Sequence, residues 1–429
     1  MQRVRLFTAG DAVSSAPSLS GVARLALPVL WLALAAAVAV VLLENPKTPV
    51  YDQARLVDAS LSGPSYPAPS YAFTSQLVVI GLRPFVPDSV ELHEVLRIAA
   101  MLFWVGAAAW LGSLLLRDPI HFAVYGLLLF SSQFPFLWLS SELVTGGFLF
   151  LTLAAGLSGA PVWLLGSLLA LLALCKIEML LVSVALVGWL VWKTRDEGRG
   201  PAVHLLASFA VSLVVLLAPG LVLIGWNYYF GYDGGTSRGF ATFIQHYASL
   251  VAPLQHTPGP NPWLQPEVYF QRTFPGANSM SDVVFAPGLA YLDFVALSVA
   301  RGIRKIGWLF SWGWLAVPVL VWARRRAGVG LDDRERLLWV SFVGVIPMVL
   351  FAYPHIRYFA RYYPIFWLLI GLGIERLQQT EPSSDEQGER RACLVAASGA
   401  VLLALMLNGQ RVSHGLAYVS VLSSYWFPD

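Results

Sequence analysis

The sequence predicts an all-α polytopic membrane protein, with about eleven transmembrane helices and further helices that lie along the outer membrane face. Of its 429 residues, 57% are hydrophobic and 12% are charged, which is about half the charged fraction of an average soluble domain. Apolar runs of roughly twenty residues recur along the chain, and this is the length that a helix needs to cross a bilayer. Many of the 16 Trp residues lie near the ends of these runs, as in interfacial belts.

The spans follow from the apolar runs. The run from Pro161 to Trp192 is divided at Lys176. One helix of that length would reach about 48 Å, against a hydrocarbon core of roughly 30 Å. The predicted spans are Val22–Leu43, Leu92–Leu116, Ile120–Leu139, Val144–Leu157, Pro161–Cys175, Ile177–Trp192, Val203–Leu223, Ile306–Trp322, Leu337–Tyr353, Tyr362–Leu377 and Ala392–Leu407.

Lys and Arg residues in the short loops predict the orientation. They concentrate at the N-terminus and in the loops 193–199, 324–336 and 376–391, which we therefore assign to the cytoplasm. Successive spans must end on alternate sides of the membrane. With the basic loops on the cytoplasmic side, this holds only if Pro67–Phe85 is a helix in the outer interface and not a span. The sequence thus predicts a multi-pass protein of the inner (cytoplasmic) membrane, with a cytoplasmic N-terminus and an active face toward the periplasm or exterior.

Three regions are predicted. Residues 1–225 form an N-terminal transmembrane module that includes the outer loop 44–91, and residues 303–429 form a C-terminal transmembrane module. Between them, residues 226–302 form a long extracytoplasmic loop, in which Pro, Gly and Asn predict short helices and turns and not an independent domain. No basic soluble domain is apparent, so the sequence speaks against a nucleic-acid partner.

The segment VYDQARLVDASLSG, residues 50–63, follows the first predicted span. As a helix it places its apolar residues on one face and directs Asp52 away from them. Two interpretations remain open. Asp52 either faces a site on the outer side or forms a surface ion pair with Arg55.

Several further segments carry a resemblance to a known family. They are PAPSYAFTSQLVVIGLRPF, VLRIAAMLFW with the turn LLLRDP, FPFLWLSSELVTGGFLFLTL, LALLALCKIEMLL and HIRYFARYYPIFWLLIGLGIERL. Together with the retained first span and the acidic segment, they resemble the GT-C glycosyltransferases, among them protein O-mannosyltransferases and bacterial aminoarabinose transferases. The resemblance covers roughly residues 1–195 and 350–378.

The resemblance implies transfer of a sugar from a polyprenyl-phosphate-linked donor to a glycan, lipid or protein acceptor, with inversion at the anomeric carbon. It implies that Asp52 is the general base, which takes the acceptor's hydroxyl proton, and that Glu142 is a second acid of the site. Glu142 is alternatively an interfacial residue that is hydrogen-bonded to a nearby Ser or Thr. The family often has two adjacent acids where this chain has Asp52 and Gln53, so we expect no cofactor and no metal ligands. Whether a divalent metal ion takes part is left open.

The leaving phosphate requires cations. The resemblance and the local charge assign this role to Arg357, Arg361 and Lys176, with His355 and Tyr358 beside them. The alternatives are interfacial anchoring for the arginines, and for Lys176 an ion pair with Glu178 or snorkelling.

Two more groups of polar residues lie on the predicted outer side. Arg301, Arg304 and Lys305 form a basic face that contacts a lipid phosphate or an anionic acceptor, or else the head groups of membrane lipids. His246, His256 and Arg272 in the long loop either contact the acceptor or are solvated loop residues, and because their spacing carries no signal we predict that they are solvated.

Two other functions compete with glycosyl transfer. The first is a glycolipid transporter or flippase, a class that usually has repeated halves and helices interrupted near the middle of the membrane. Here the ionisable residues cluster at one face. The second is an O-antigen ligase or polymerase, a class that relies on Arg and His in an outer loop, without a carboxylate helix after the first span.

Overall fold

The computed structural model describes residues 73–131, 140–197, 199–224, 232–233, 236–254, 259–262, 264–309, 313–326, 328–351, 358–359, 361–379, 387–388 and 391–407. The predicted span Val22–Leu43 and three predicted site residues, Asp52, His355 and Arg357, lie outside these residues.

The described residues are helical, apart from turns and one hairpin of two-residue strands, Tyr232–Asp233 and Thr236–Ser237. The predicted all-α class is therefore confirmed. The helices are α1 (Phe73–Leu82), α2 (Ser89–Leu115), α3 (Pro119–Ser131), α4 (Ser140–Leu157), α5 (Val162–Ala173), α6 (Ile177–Lys193), α7 (Arg199–Ile224), α8 (Arg238–Val251), α9 (Pro266–Thr273), α10 (Met280–Val284), α11 (Ala290–Leu309), α12 (Ala316–Arg326), α13 (Asp333–Ser341), α14 (Val345–Phe351), α15 (Tyr363–Gln379) and α16 (Arg391–Leu407).

Within the described residues, two helical segments are long and apolar enough to cross a membrane by length and composition, Val95–Leu115 and Gly200–Ala218. Shorter apolar helices occupy several other predicted spans, in α3, α4, α5 and α16. The division at Lys176 is confirmed, because α5 ends at Ala173 and α6 begins at Ile177. The number of eleven spans stays a prediction.

Two predicted spans are not single α-helices among the described residues. Within Ile306–Trp322, α11 is described to Leu309, and α12 begins at Ala316 after a 3₁₀ turn at Gly313–Leu315. In place of Leu337–Tyr353, α13 ends at Ser341, and α14 begins at Val345 after a 3₁₀ turn. Pro318 and Pro347 explain the breaks, since each lies in the first turn of the second helix, where proline needs no N–H partner.

The loops that the charge pattern assigns to the cytoplasm lie together in the structure. The buried Glu375, in the last turns of α15, accepts hydrogen bonds from the backbone N–H groups of Arg117 at 3.1 Å and Asp118 at 3.0 Å. It thereby caps the start of α3. Further ion pairs join Lys193 to Asp333, Arg376 to Asp332 and Arg324 to Glu335. We call this end of the bundle, marked by Arg117, Lys193, Arg324, Asp332 and Arg376, the basic end.

Helix α7 packs on α5 through small residues. A Cβ at Gly166 would meet the Ser208 side chain and the backbone of Phe209, and Ser167 shares a 2.9 Å hydrogen bond with Ser212. Small and hydroxyl residues of this kind permit close helix packing in lipid. The remaining surface of α7 carries exposed apolar side chains: Val203, Leu206, Val211, Val214 and Val215.

Helices α8 to α11 have an apolar core of their own, which we call the aromatic module (residues 238–309). Phe243, Phe270 and Phe294 are fully buried there, and the Tyr247 hydroxyl donates to Thr273 at 2.7 Å. The long loop contains the predicted short helices and turns, which share an apolar core, and α11 runs across the predicted boundary at residue 302.

The close contact of α2 with α4 requires glycine. A Cβ at Gly146 would lie 2.8 Å from the Trp104 ring, whereas nothing lies within 4 Å of a Cβ at Gly188 in α6. We expect Gly146→Ala to destabilise the protein by about 1–3 kcal/mol through overpacking. Gly188→Ala should stabilise it slightly, by up to about 1 kcal/mol, because Ala favours a helix. The fraction of monodisperse protein left after stepwise heating in detergent checks both, and equal shifts would contradict the packing account.

Candidate active site

Helices α4, α6 and α15 begin close together, at the end of the bundle opposite Lys193. Glu142 lies in the first turn of α4, Lys176 immediately precedes α6, and Arg361 comes two residues before α15. They come from parts of the chain far apart in sequence. Since α6 has 17 residues, this place lies about 26 Å from the basic end.

The charged side chains at this place pair with one another. Lys176 Nζ donates to Glu142 Oε1, and an Arg361 guanidinium nitrogen donates to Glu142 Oε2 at 2.9 Å. The other terminal nitrogen of Arg361 lies 2.9 Å from Glu178 Oε1. Arg361, Glu142 and Lys176 have 1%, 2% and 5% of their surface exposed. We call Glu142, Lys176, Glu178 and Arg361 the charge cluster.

The electrostatics of the charge cluster favour a further anion. Its two carboxylates and two cations sum to zero formal charge, but the N-termini of α4, α6 and α15 each add a positive partial charge. Backbone N–H groups at helix N-termini bind phosphate and other oxyanions. Within the described part of the chain, the Nε–H of Arg361 has no hydrogen-bond partner. The arrangement can therefore stabilise negative charge that develops on a bound phosphate.

An aromatic pair connects the aromatic module to the charge cluster. Lys176 Nζ lies 5.9 Å from the centroid of the Tyr358 ring, and the His246 ring is 6.3 Å from that of Tyr358. His246 is buried, so its predicted solvation was wrong. The signal was present in the sequence, because Phe243, His246 and Leu250 are spaced to lie on one face of α8.

Helix α1 enters the bundle beside the charge cluster. The Thr74 hydroxyl donates to the Leu171 carbonyl at 2.8 Å, and its N–H donates to the Leu174 carbonyl at 3.3 Å. The Cys175 thiol contacts the side chains of Thr74 and Thr145. Thr74 thus satisfies carbonyls that the end of α5 leaves open. Residues 73–82 of the segment Pro67–Phe85 are helical, as predicted, and the start of this helix is packed against the protein; its place in an outer interface stays a prediction.

The basic face predicted at residues 301–305 belongs to α11 of the aromatic module and not to the charge cluster. Lys305 is half-buried there, and its pKa is lowered by burial and by the neighbouring charges of Arg301 and Arg304. A nearby anion would relieve this crowding of like charges.

The structure brings together four of the predicted site residues: Glu142, Lys176, Arg361 and Tyr358. Glu178 and His246 join them as additional members. Glu178 was expected, as one alternative, to pair with Lys176, but its ion pair is with Arg361. Glu142 contacts both cations, which fits a positioning role better than that of a proton acceptor.

The described residues lack the features of two other kinds of site, a metal centre and a hydrolase nucleophile. Among the described residues, no group of three or more His, Cys, Asp or Glu side chains is placed to hold a metal ion. The stretch GTSRG at residues 235–239 matches the G-x-S-x-G pattern of α/β-hydrolases. Ser237, however, lies on a strand of two residues and not above a parallel sheet, so the context for a nucleophile is lacking.

Comparison with known proteins gave no match: no protein family matches the chain, nor does any curated protein or solved structure.

Proposed function

We propose that the chain is an integral-membrane glycosyltransferase of GT-C type, which moves a sugar from a polyprenyl-phosphate-linked donor to a glycan, lipid or protein acceptor. The observation that carries the proposal is the meeting of Lys176 and Arg361, paired through Glu142, at three helix N-termini. Buried ionisable groups at the end of an apolar bundle are costly, and in membrane proteins they commonly mark functional sites.

The membrane location rests on two further observations. The charge cluster and the basic end are separated by about 26 Å, close to the roughly 30 Å of a hydrocarbon core. Between them, α7 presents an apolar surface that a lipid environment would cover. In this arrangement the charge cluster lies at the extracytoplasmic face of the inner membrane and the basic end faces the cytoplasm.

The proposed reaction is a single displacement with inversion. The acceptor oxygen attacks the anomeric carbon and loses its proton to Asp52, while the bond between that carbon and the phosphate oxygen breaks. The electron pair of that bond stays on the polyprenyl phosphate. Lys176, Arg361 and the helix N-termini stabilise the resulting charge, so no general acid is required. Glu142 and Glu178 hold the two cations in place.

The position of helix α1 supports this scheme. It starts beside the charge cluster, with Thr74 on the carbonyls at the end of α5. Asp52 precedes Phe73 by 21 residues, so the segment that carries the proposed base joins the bundle at the end where the proposed phosphate site lies.

A glycolipid transporter is the second candidate, and the interrupted segments favour it, because transporters bind substrate at broken helices. The break before α14 argues for the enzyme instead, because of its position. A Cβ at Gly344 would meet Tyr362 and Met179, residues next to the charge cluster, so this break lies at one end of the bundle and not midway.

Binding of the lipid phosphate tests the proposal without requiring the acceptor. We expect polyprenyl phosphate to raise the melting temperature of the detergent-solubilised protein. At a lipid concentration of one hundred times its Kd, binding adds about 2.7 kcal/mol to the free energy of unfolding. Polyprenol of the same length should not do so. Arg357→Gln, which removes a cation that the resemblance assigns to the phosphate, should reduce the difference, and Arg325→Gln at the exposed basic end should preserve it. Equal stabilisation by the two lipids would contradict a phosphate site.

A further inference from the structure

The two carboxylates of the charge cluster contact Arg361 in different ways. Glu142 Oε2 accepts a hydrogen bond from one terminal nitrogen of Arg361 at 2.9 Å. Glu178 Oε1 lies 2.9 Å from the other terminal nitrogen, but this contact is an ion pair without a directed hydrogen bond. Among the described residues, that nitrogen and the Nε of Arg361 are both buried and have no hydrogen-bond partner. Two of the three guanidinium nitrogens can therefore still donate to another oxygen.

Glu178 is the most solvent-exposed member of the charge cluster. Its side chain is 13% exposed, whereas the side chains of Glu142 and Arg361 are 1% and 0% exposed. Glu178 also lies in the first turn of α6, where the helix N-terminus favours a carboxylate. If Glu178 leaves Arg361, it therefore keeps favourable surroundings. Glu142 without its cations would be an uncompensated buried charge, which is far more costly.

We propose that Glu178 occupies the place on Arg361 that the phosphate of the donor lipid takes, and that Glu178 moves aside when this lipid binds. The inference rests on the proposed function, and it identifies Glu178 as the residue that sets the affinity of the phosphate site. Glu142 stays in place throughout, because it holds both cations. A phosphodiester carries one negative charge, as the carboxylate does, so the exchange leaves the formal charge beside Arg361 unchanged.

The same carboxylate assists the release of the spent lipid. When the bond between the anomeric carbon and the phosphate oxygen breaks, a phosphodiester with one negative charge becomes a phosphate monoester with nearly two. The monoester is attracted more strongly to Lys176 and Arg361 than the donor was. Glu178 competes with this product for Arg361, because it can return to the nitrogen that the phosphate occupies. Without Glu178, the site would hold its product too tightly.

Equilibrium binding of radiolabelled polyprenyl phosphate to the detergent-solubilised protein tests the proposal, with polyprenol of the same length as the lipid control. Glu178→Gln removes the competing charge, and we expect it to lower the Kd for polyprenyl phosphate about tenfold. Glu178→Asp keeps the charge but draws the carboxylate back by one methylene group, so it should lower the Kd by a smaller factor. Glu267→Gln removes an exposed carboxylate from α9 and should leave the Kd unchanged.

Glu178→Asp separates displacement of the side chain from a simple effect of its charge. If only the charge mattered, the Asp variant would bind polyprenyl phosphate with the Kd of the wild type, and that result would overturn the proposal. An unchanged or higher Kd in Glu178→Gln would overturn it as well. A higher Kd is what a purely structural role predicts, because Arg361 would lose a residue that holds it in place.

The comparison with polyprenol separates this inference from the proposed function. If neither the wild type nor any variant prefers polyprenyl phosphate to polyprenol, the phosphate site is absent and the proposed glycosyltransferase fails with it. If the wild type and all variants bind polyprenyl phosphate with the same Kd, only the displacement of Glu178 is contradicted, and sugar transfer would still stand.

Discussion

Arg361→Met is expected to destabilise the protein by about 3–5 kcal/mol, because it removes one partner from a buried network of charges. Glu142 would keep Lys176, but Glu178 would lose the cation that lies 2.9 Å from it. The apolar replacement fills the space of the Arg361 stem, so the effect comes mainly from the lost guanidinium group.

Thermal unfolding in detergent measures this prediction, with Arg325→Met as the matched control. Arg325 is exposed in α12 at the basic end, and its replacement should change stability by less than about 0.5 kcal/mol. The double variant Glu142→Leu with Lys176→Met should cost less than the two single changes combined, because it removes a buried pair as a unit. Strict additivity would show that the cluster charges do not act together.

Asp52→Asn is expected to lower the rate of sugar transfer by about 10²–10⁴-fold, because the amide cannot accept the acceptor's proton. The side chain keeps its size, so donor binding and the KM for the donor should change little. A single-turnover assay with preloaded donor measures the chemical step by itself.

Asp58→Asn is the control for Asp52, because it removes the same charge six residues further along the same segment. It should leave the rate unchanged. If both variants retain full activity, the segment 50–63 serves only as an interfacial helix, and the base must be sought elsewhere in the outer loops.

The helical class and much of the charge cluster were predictable from the sequence. Charged residues such as Glu142 and Lys176 interrupt apolar runs. Because a buried charge needs a partner, such an interruption predicts a residue that is paired inside the bundle. The basic loops were likewise predicted to share one side, and Lys193 and Asp333 do meet there.

Sequence patterns could not predict which charged residues pair with one another. Hydropathy places a residue along the bundle axis but does not say which helices are neighbours, so Glu178 was not matched with Arg361. The two interrupted segments were missed for another reason. The residues around Pro318 and Pro347 are apolar throughout, so hydropathy does not separate the helices, and only the prolines indicate where a helix ends. His246 was missed because the aromatic core around α8 depends on residues from α9 and α11.

The most direct test of the central claim is transfer of labelled sugar from polyprenyl-phosphate donors by the wild-type chain in proteoliposomes. The account predicts that label appears on an acceptor at the outer face while an equal amount of polyprenyl phosphate is released. If no donor gives up its sugar, and the intact labelled lipid instead crosses the bilayer, the chain is a transporter and the glycosyltransferase account is wrong.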